Sequence, residues 1–338
     1  MHSEHRAQSR LLRAFAFSGA LLAIGTMTAT GALAQGKAPT GEIEITVGSG
    51  AGAGPDLTQR RVAKILNDEK IVENPIVIQN RTGGSWTVAA NYVLGQKGNE
   101  NLLFGISPTF FASPIVQGLD PWYKQMTPLA GLLTADLLLV VSANSPFQSL
   151  TDLVNEAKKQ EASVSVGGAN IGSTDHIVTT LLENAAGIKL NYIPFDGGGG
   201  QITSSLLGGA VNMGVYPPDE ALSLIEGGQV RPIAILSAER HPSDKFKDVP
   251  TAKEQGYDVQ WDSPQSLVLP PDADPELVAW WDDKLQKMVA TDAWKQMLAE
   301  NYFRDAYAPA SEAGAALEAL HKRYFDILTE LGLAKSAQ

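Results

Sequence analysis

The chain of 338 residues contains no cysteine. This excludes thiolate chemistry, cysteine-ligated zinc and iron–sulfur clusters. A chain of this length can stand on its own core without disulfides. Basic residues are also scarce, with 26 Lys and Arg against 37 Asp and Glu, for a formal net charge of −11. A nucleic-acid binder needs a basic footprint, and none is present. An acidic surface does not draw in an anion from a distance, so any anion site has to be local, built from backbone donors or helix ends. Histidine occurs only five times. Metal-ligand spacing such as His-Glu-x-x-His is absent, and neither a metal nor a cofactor is expected. Beyond the first 34 residues no segment reaches eighteen apolar residues without charges, so no membrane-spanning helix is expected there.

The N-terminus carries a clear signal. Arg6, Arg10 and Arg13 precede or overlap an apolar run over 11–24, and small residues end in Ala32-Leu33-Ala34 before Gln35. This reads as a signal peptide over 1–34 with an Ala-x-Ala-like cleavage site, and hence as export to the periplasm. An uncleaved anchor is the competing reading. Removing those residues leaves 23 basic against 36 acidic side chains, a formal charge of −13.

The rest alternates between strand-like and helix-like segments. Residues 42–47 alternate polar and apolar as a strand does. Seven Gly, Ala and Ser residues follow at 48–54, and Pro55 suits the first turn of a helix. Short strands at 76–78 and 102–104 flank a second helix ending near Leu94. This is the arithmetic of a parallel sheet with short turns. The plan restarts with a strong strand at 137–142, a helix capped by Ser149, and a strand at 164–166. A turn of small residues at 167–173 and a helix opened by Thr174 come next. Further strands fall at 191–194, 211–215 and 230–236, and Gly227 is expected to close a helix over 219–226. After 257–269, of strand character, the chain reads as helical, including 310–331. The predicted organisation is an α/β chain of two lobes. One is discontinuous, 42–142 plus 258–338, the other is 143–257, and two crossing strands act as hinges.

Four turns are candidates for chemistry, each after a strand and three of them leading into a helix. The first, 48–56, places Ser49, Gly50, Ala51, Gly52 and Asp56 where main-chain N–H groups and a helix end can meet an anion. Its glycines do not fit a nucleotide fingerprint, which needs Gly where Ala53 stands. A turn whose glycines only satisfy backbone angles is left open. The second contributes Ala169, Asn170, Ser173 and Thr174, with simple N-capping as the alternative. The third contributes Gly83, Gly84 and Ser85, with Arg81 either a counterion or half of a surface salt bridge. The fourth holds Asp196 and four glycines. Phe110 is a candidate pocket wall, whereas Trp280, Trp281 and Trp294 are expected to pack. No Gly-x-Ser-x-Gly elbow is present, and His176 beside Asp175 does not face it on a helix. An enzyme is therefore not expected.

Several segments, in order and spacing, resemble the receptors of tripartite tricarboxylate transporters, also called the Bordetella uptake gene family. They are Thr46-Val47-Gly48-Ser49-Gly50-Ala51-Gly52-Ala53-Gly54-Pro55-Asp56, Asn80-Arg81-Thr82-Gly83-Gly84-Ser85, residues 168–176, Ile193-Pro194-Phe195-Asp196-Gly197, and Asp248-Val249-Pro250-Thr251 with Gly256-Tyr257. The resemblance implies a two-lobed type II periplasmic binding protein-like fold with an interlobe cleft. It implies a small mono- or dicarboxylate gripped between the first-lobe and second-lobe turns, often through ordered water. It further implies a membrane permease of one large and one small subunit as partner; a membrane sensor is the alternative, and a monomer is expected. Two departures bear on the pocket wall. Ser263-Pro264-Gln265-Ser266 stands where the family commonly has a Trp-Phe-Gly-like stretch, and the first turn lacks the family's Pro-Phe.

Overall fold

The computed structural model describes residues 37–195 and 199–335. The expected signal peptide at 1–34 and the candidate Asp196 lie outside the described residues. In chain order the elements of the first half are β1 (Ile43–Val47), α1 (Gly54–Asp68), β2 (Ile76–Asn80), α2 (Thr87–Leu94), β3 (Leu102–Ile106), α3 (Pro108–Gln117) and β4 (Thr127–Asp136). Then come β5 (Leu138–Ser142), α4 (Leu150–Ala157), β6 (Ser165–Gly168), α5 (Thr174–Ala186), β7 (Asn191–Pro194), α6 (Gly199–Leu207), β8 (Met213–Tyr216), α7 (Pro218–Glu226) and β9 (Val230–Ile235). The chain closes with β10 (Asp262–Leu269), α8 (Pro275–Ala290), α9 (Asp292–Asn301), β11 (Phe303–Ala308) and α10 (Ala310–Glu330).

Two sheets form, ordered β11-β4-β10-β3-β1-β2 and β7-β6-β8-β5-β9. Strands β1, β2 and β3 run parallel, as the strand–helix–strand spacing predicts. Both sheets are nevertheless mixed. In the first, β10 runs antiparallel to β3 and β4, and β11 antiparallel to β4. In the second, β5 runs antiparallel to β8 and β9. The antiparallel strands are those on which the chain passes between sheets or returns. One residue, Leu137, separates β4 in the first sheet from β5 in the second. By sheet membership β5 sits with the second sheet, although the expected first segment extends to residue 142.

Side-chain alternation explains how one strand serves two cores. Leu139 and Val141 of β5 join a cluster with Ile177 and Leu182 of α5, while Leu138 and Val140 face Ile202 and Leu206 of α6. In β3, Phe104 and Ile106 face one way and Leu103 the other, towards Trp281 and Trp294. Both tryptophans are fully buried packing residues, as expected. The capping readings hold with one shift. Ser149 caps α4 in a full capping box with Asp152. At α7 it is Gly228, not Gly227, that takes the left-handed conformation (φ 64°). Sequence reasoning passed over α3, β4 and β11.

Candidate functional site

A cavity of about 150 Å³ lies between the two sheets. Its position follows from the topology, because helices that follow strands in both sheets start at its rim. The N-termini of α1 (Ala53, Gly54), α3 (Ser107, Thr109), α5 (Ser173, Thr174), α6 (Gly199) and α7 (Pro217, Glu220) all line it. First-turn amides have no carbonyl partner within their own helix, so each end turns donor potential towards the cavity.

The first turn is shaped by close packing. A Cβ on Gly48 would lie 2.3 Å from Cδ2 of Trp86, so only glycine lets this indole close the cavity wall. Ser49 lines the cavity and its buried Oγ has no partner. Gly50, Ala51 and Gly52 do not line it, and the latter two are exposed. Asp56 is buried beneath the turn and staples it. Its Oδ2 accepts from the Gly52 amide (2.8 Å) and Arg60 Nε (3.0 Å), and its Oδ1 from Asn80 Nδ2 (3.0 Å). Burial pushes its pKa up, but the bonds from Arg60, Gly52 and Asn80 outweigh burial and lower it. Asp56 therefore stays ionised and engaged with its own turn.

In the second sheet, Ala169, Ser173 and Thr174 line the cavity. Ser173, rather than Thr174, is the N-cap of α5, and its Oγ accepts from the His176 amide and meets the Tyr192 hydroxyl at 3.1 Å. Asp175 Oδ2 accepts from the Ala169 amide (2.8 Å), and burial pushes this carboxyl up to about 6. His176 Nδ1 accepts from the Gly172 amide, and burial lowers its pKa, so it serves the turn as a neutral acceptor.

The other candidates fall elsewhere. Gly83, Gly84 and Ser85 form a run of positive φ at the start of α2. Ser85 and Asn170 line a separate shallow groove with Val116 and Pro194. Arg81 pairs with Glu44 at 3.0 Å and lies over the Tyr92 ring, which is the salt-bridge alternative. Phe110 belongs to an aromatic core, edge-on to Phe104 and Phe111, and is 1% exposed.

Sequence reasoning missed α3, and it read the α7 helix without counting its start as part of the site. Ser107-Pro108 and Pro217-Pro218 are helix-start signals placed directly after strands, and they could have been found on that ground. Gln265 and Ser263 line the cavity from β10, at the position where the chain departs from the resembled family and where the sequence already points to the pocket wall. Glu220 had no local signal. Its Oε1 accepts from the Gly54 amide at 2.7 Å, across the cleft and 166 residues away in sequence. Beside it Asp219, whose side chain is 1% exposed, pairs with Arg61 at 2.8 Å. Burial, then the neighbouring Asp219, push Glu220 up to about 8. Among the described residues, no Lys, Arg or His lines the cavity. Among the described residues, no group of three His, Cys, Asp or Glu side chains could hold a metal ion, and no helix is long and apolar enough to cross a membrane.

Comparison with known proteins agrees with this architecture. The chain is 26% identical over 302 residues to a Cupriavidus necator protein encoded in the gbd 5′ region, covering 89% of this chain and 90% of the relative. It is 28% identical over 270 residues to protein BugT of Bordetella pertussis, covering 76% and 80%. Among solved structures, an R. palustris protein with adipate superposes with a TM-score of 0.81 at 24% identity, covering 88% of this chain and 99% of that one. MatC from Rhodopseudomonas palustris with bound malate superposes with a TM-score of 0.76 at 21% identity, covering 86% and 99%. These likenesses establish the bilobed type II periplasmic binding protein fold. The family model for the tripartite tricarboxylate transporter family receptor matches residues 59–333, so the chain belongs to that receptor family.

Proposed function

We propose that this receptor captures a small organic carboxylate in the periplasm and presents it, as a monomer, to a membrane permease with one large and one small subunit. The observation that carries the reading is the convergence of five helix N-termini, from both sheets, on one small enclosed space. Each N-terminus favours negative charge by about 0.3–1 kcal/mol, and more where water is excluded. The adipate and malate held by the two R. palustris proteins of this fold are acids of the same class. The lobes follow sheet membership, with the chain crossing at Leu137 and again between β9 and β10. Closure of the two halves removes bulk water and strengthens every hydrogen bond made inside.

In this reading the solute carboxylate lies near α5 and α3, at the amides of Thr174 and Thr109 and the Ser49 hydroxyl; the buried, unpartnered Ser49 Oγ on the cavity wall supports it. A titration of Thr174→Asp against wild type, by calorimetry with a panel of aliphatic carboxylates, tests this. A new carboxylate at that helix end repels the guest, and the expected loss is about tenfold or more. Unchanged affinity for every acid that the wild type binds would remove α5 from the site.

A further inference from the structure

Among the described residues, three acidic side chains, Asp175, Asp219 and Glu220, reach a cavity that no Lys, Arg or His lines. Their hydrogen bonding is uneven. Asp175 and Glu220 each have one named donor, the amides of Ala169 and Gly54. Asp219 uses Oδ2 for Arg61, but its Oδ1 is buried and has no partner. Oε1 of Gln265, a residue 6% exposed on the cavity wall, is also buried and unpartnered. A carboxylate has about four lone-pair sites, and a buried polar atom left without a partner is costly. The lining residues thus carry two buried acceptor atoms, Asp219 Oδ1 and Gln265 Oε1, that have no partner.

Glu220 also takes the place that a solute carboxylate would otherwise take at α1. Gly54 is the first residue of that helix and Pro55 has no N–H, so the Gly54 amide is the main donor this end turns to the cleft. Glu220 already occupies it. The second carboxylate oxygen lies against the start of α6, where a Cβ on Gly199 would be 2.8 Å from Oε2. A second carboxylate in this corner obliges one of the pair to keep a proton, because two ionised carboxylates in contact repel and neither can be screened by water there, whereas an ammonium lets Glu220 ionise and pair with it. The nearby Arg61 is engaged by Asp219.

Resting on the carboxylate reading above, we infer that Glu220 is a specificity-determining residue. It selects solutes that carry an ammonium group besides their carboxylate and rejects dicarboxylates. The solute carboxylate lies towards α3 and α5, and its ammonium lies towards Glu220 and Asp219. An ammonium brings three donors and a positive charge. It supplies the partner that Asp219 Oδ1 lacks and the counter-charge that Glu220 lacks. The groups facing Glu220 are Asp219 on α7, Asp175 on α5, Tyr216 on β8 and Arg61 on α1. Three of these four are acids or neutral, so the corner favours a cationic guest group.

The test is calorimetry on the full exported chain with matched acids of three to seven carbons. At each length the monocarboxylate, the α,ω-dicarboxylate, the ω-amino acid and the α-amino acid are compared. The inference expects an amino acid to bind at least about tenfold more tightly than the dicarboxylate of equal length, since one unpaired buried charge is worth that much. Glu220→Gln keeps the shape and the bond from Gly54, and it is expected to erase the preference. A dicarboxylate bound more tightly than its amino counterpart overturns the inference and leaves the carboxylate reading standing. A preference for the amino acid that persists in Glu220→Gln assigns the selection elsewhere and also overturns it. Failure of every acid to bind removes both readings together.

Discussion

At Gly48 the requirement for glycine comes from a neighbour rather than from backbone freedom. The position lacks a positive φ, yet the face of Trp86 fills the space a side chain would need. Three ring atoms lie within 2.7 Å of the ideal Cβ position. Gly48→Ala must therefore push the indole or the strand end aside. Overpacking of this kind costs about 1–3 kcal/mol. The expected outcome is a lower denaturation midpoint with an unchanged slope, measured by urea unfolding; a midpoint equal to wild type would show that Trp86 moves freely. The residues also differ in how legible they are from sequence. Ser49, Ser173 and Thr174 can be read locally, because small hydroxylated residues between a strand and a helix have few other uses. Asp56 can be found but not interpreted, since its bonds from Gly52, Arg60 and Asn80 appear only once β2 lies beside the turn. Glu220 cannot be found at all. Within its helix it is an ordinary first-turn acid, and its meaning comes from Gly54 on the opposite lobe.

Among the elements, α1 and α7 form one of the contacts through which the two halves meet. Arg61 of α1 and Asp219 of α7 pair at 2.8 Å, with Asp219 almost wholly removed from solvent. Burial pushes Asp219 up, and Arg61 opposes that shift. Deleting the arginine alone leaves a buried carboxylate without its partner, which costs more than deleting both. A double-mutant cycle with Arg61→Ala and Asp219→Asn is expected to give a coupling of about 1–3 kcal/mol in urea unfolding. Additivity within error would mean that α1 and α7 are not paired in solution. The units β1–α1 and β6–α5 are legible because hydrophobic alternation, a small-residue turn and a helix start fall in sequence order. Strand β4 is less so. Both of its faces are covered, so its Leu and Ala positions show no alternation and imitate other buried segments. Strand β11 is nearly exposed and carries Arg304, Asp305 and Ala306, and it becomes a strand only by pairing with β4. Parallel order is the natural expectation from strand–helix alternation. The antiparallel members arise where the chain changes sheets, which no local pattern records.

For the molecule as a whole, the acids trapped between the lobes dictate how stability varies with pH. Asp175 is raised from 3.8 to about 6 by burial, and Glu220 from 4.5 to about 8 by burial and then by Asp219. Both therefore bind a proton more tightly in the folded chain than in the unfolded one. Between the unfolded and folded pKa values the native state holds the extra proton, so stability falls as pH rises through that window. The contribution is full below the unfolded values. Asp175 loses its share up to about pH 6 and Glu220 up to about pH 8, with no further change from either above that. Asp56 works in the opposite sense. Its folded pKa lies below 3.8, so its contribution is present above that value and is lost as pH falls further. The solute-free protein is thus expected to be most stable near pH 4 to 5, and to lose up to about 1.4 kcal/mol per pH unit for each proton released. Unfolding midpoints measured from pH 4 to 9 check the sign. Glu220→Gln carries no titrating group, and it is expected to flatten the curve between about pH 6 and 8 and to make it shallower below that, where Asp175 alone still titrates. If the upper limb survives that substitution, the carboxylate at the α1 terminus is not what strains the closed form. A guest ammonium that neutralises Glu220 should flatten the same limb in the wild type, because the paired carboxylate no longer gains by taking up a proton.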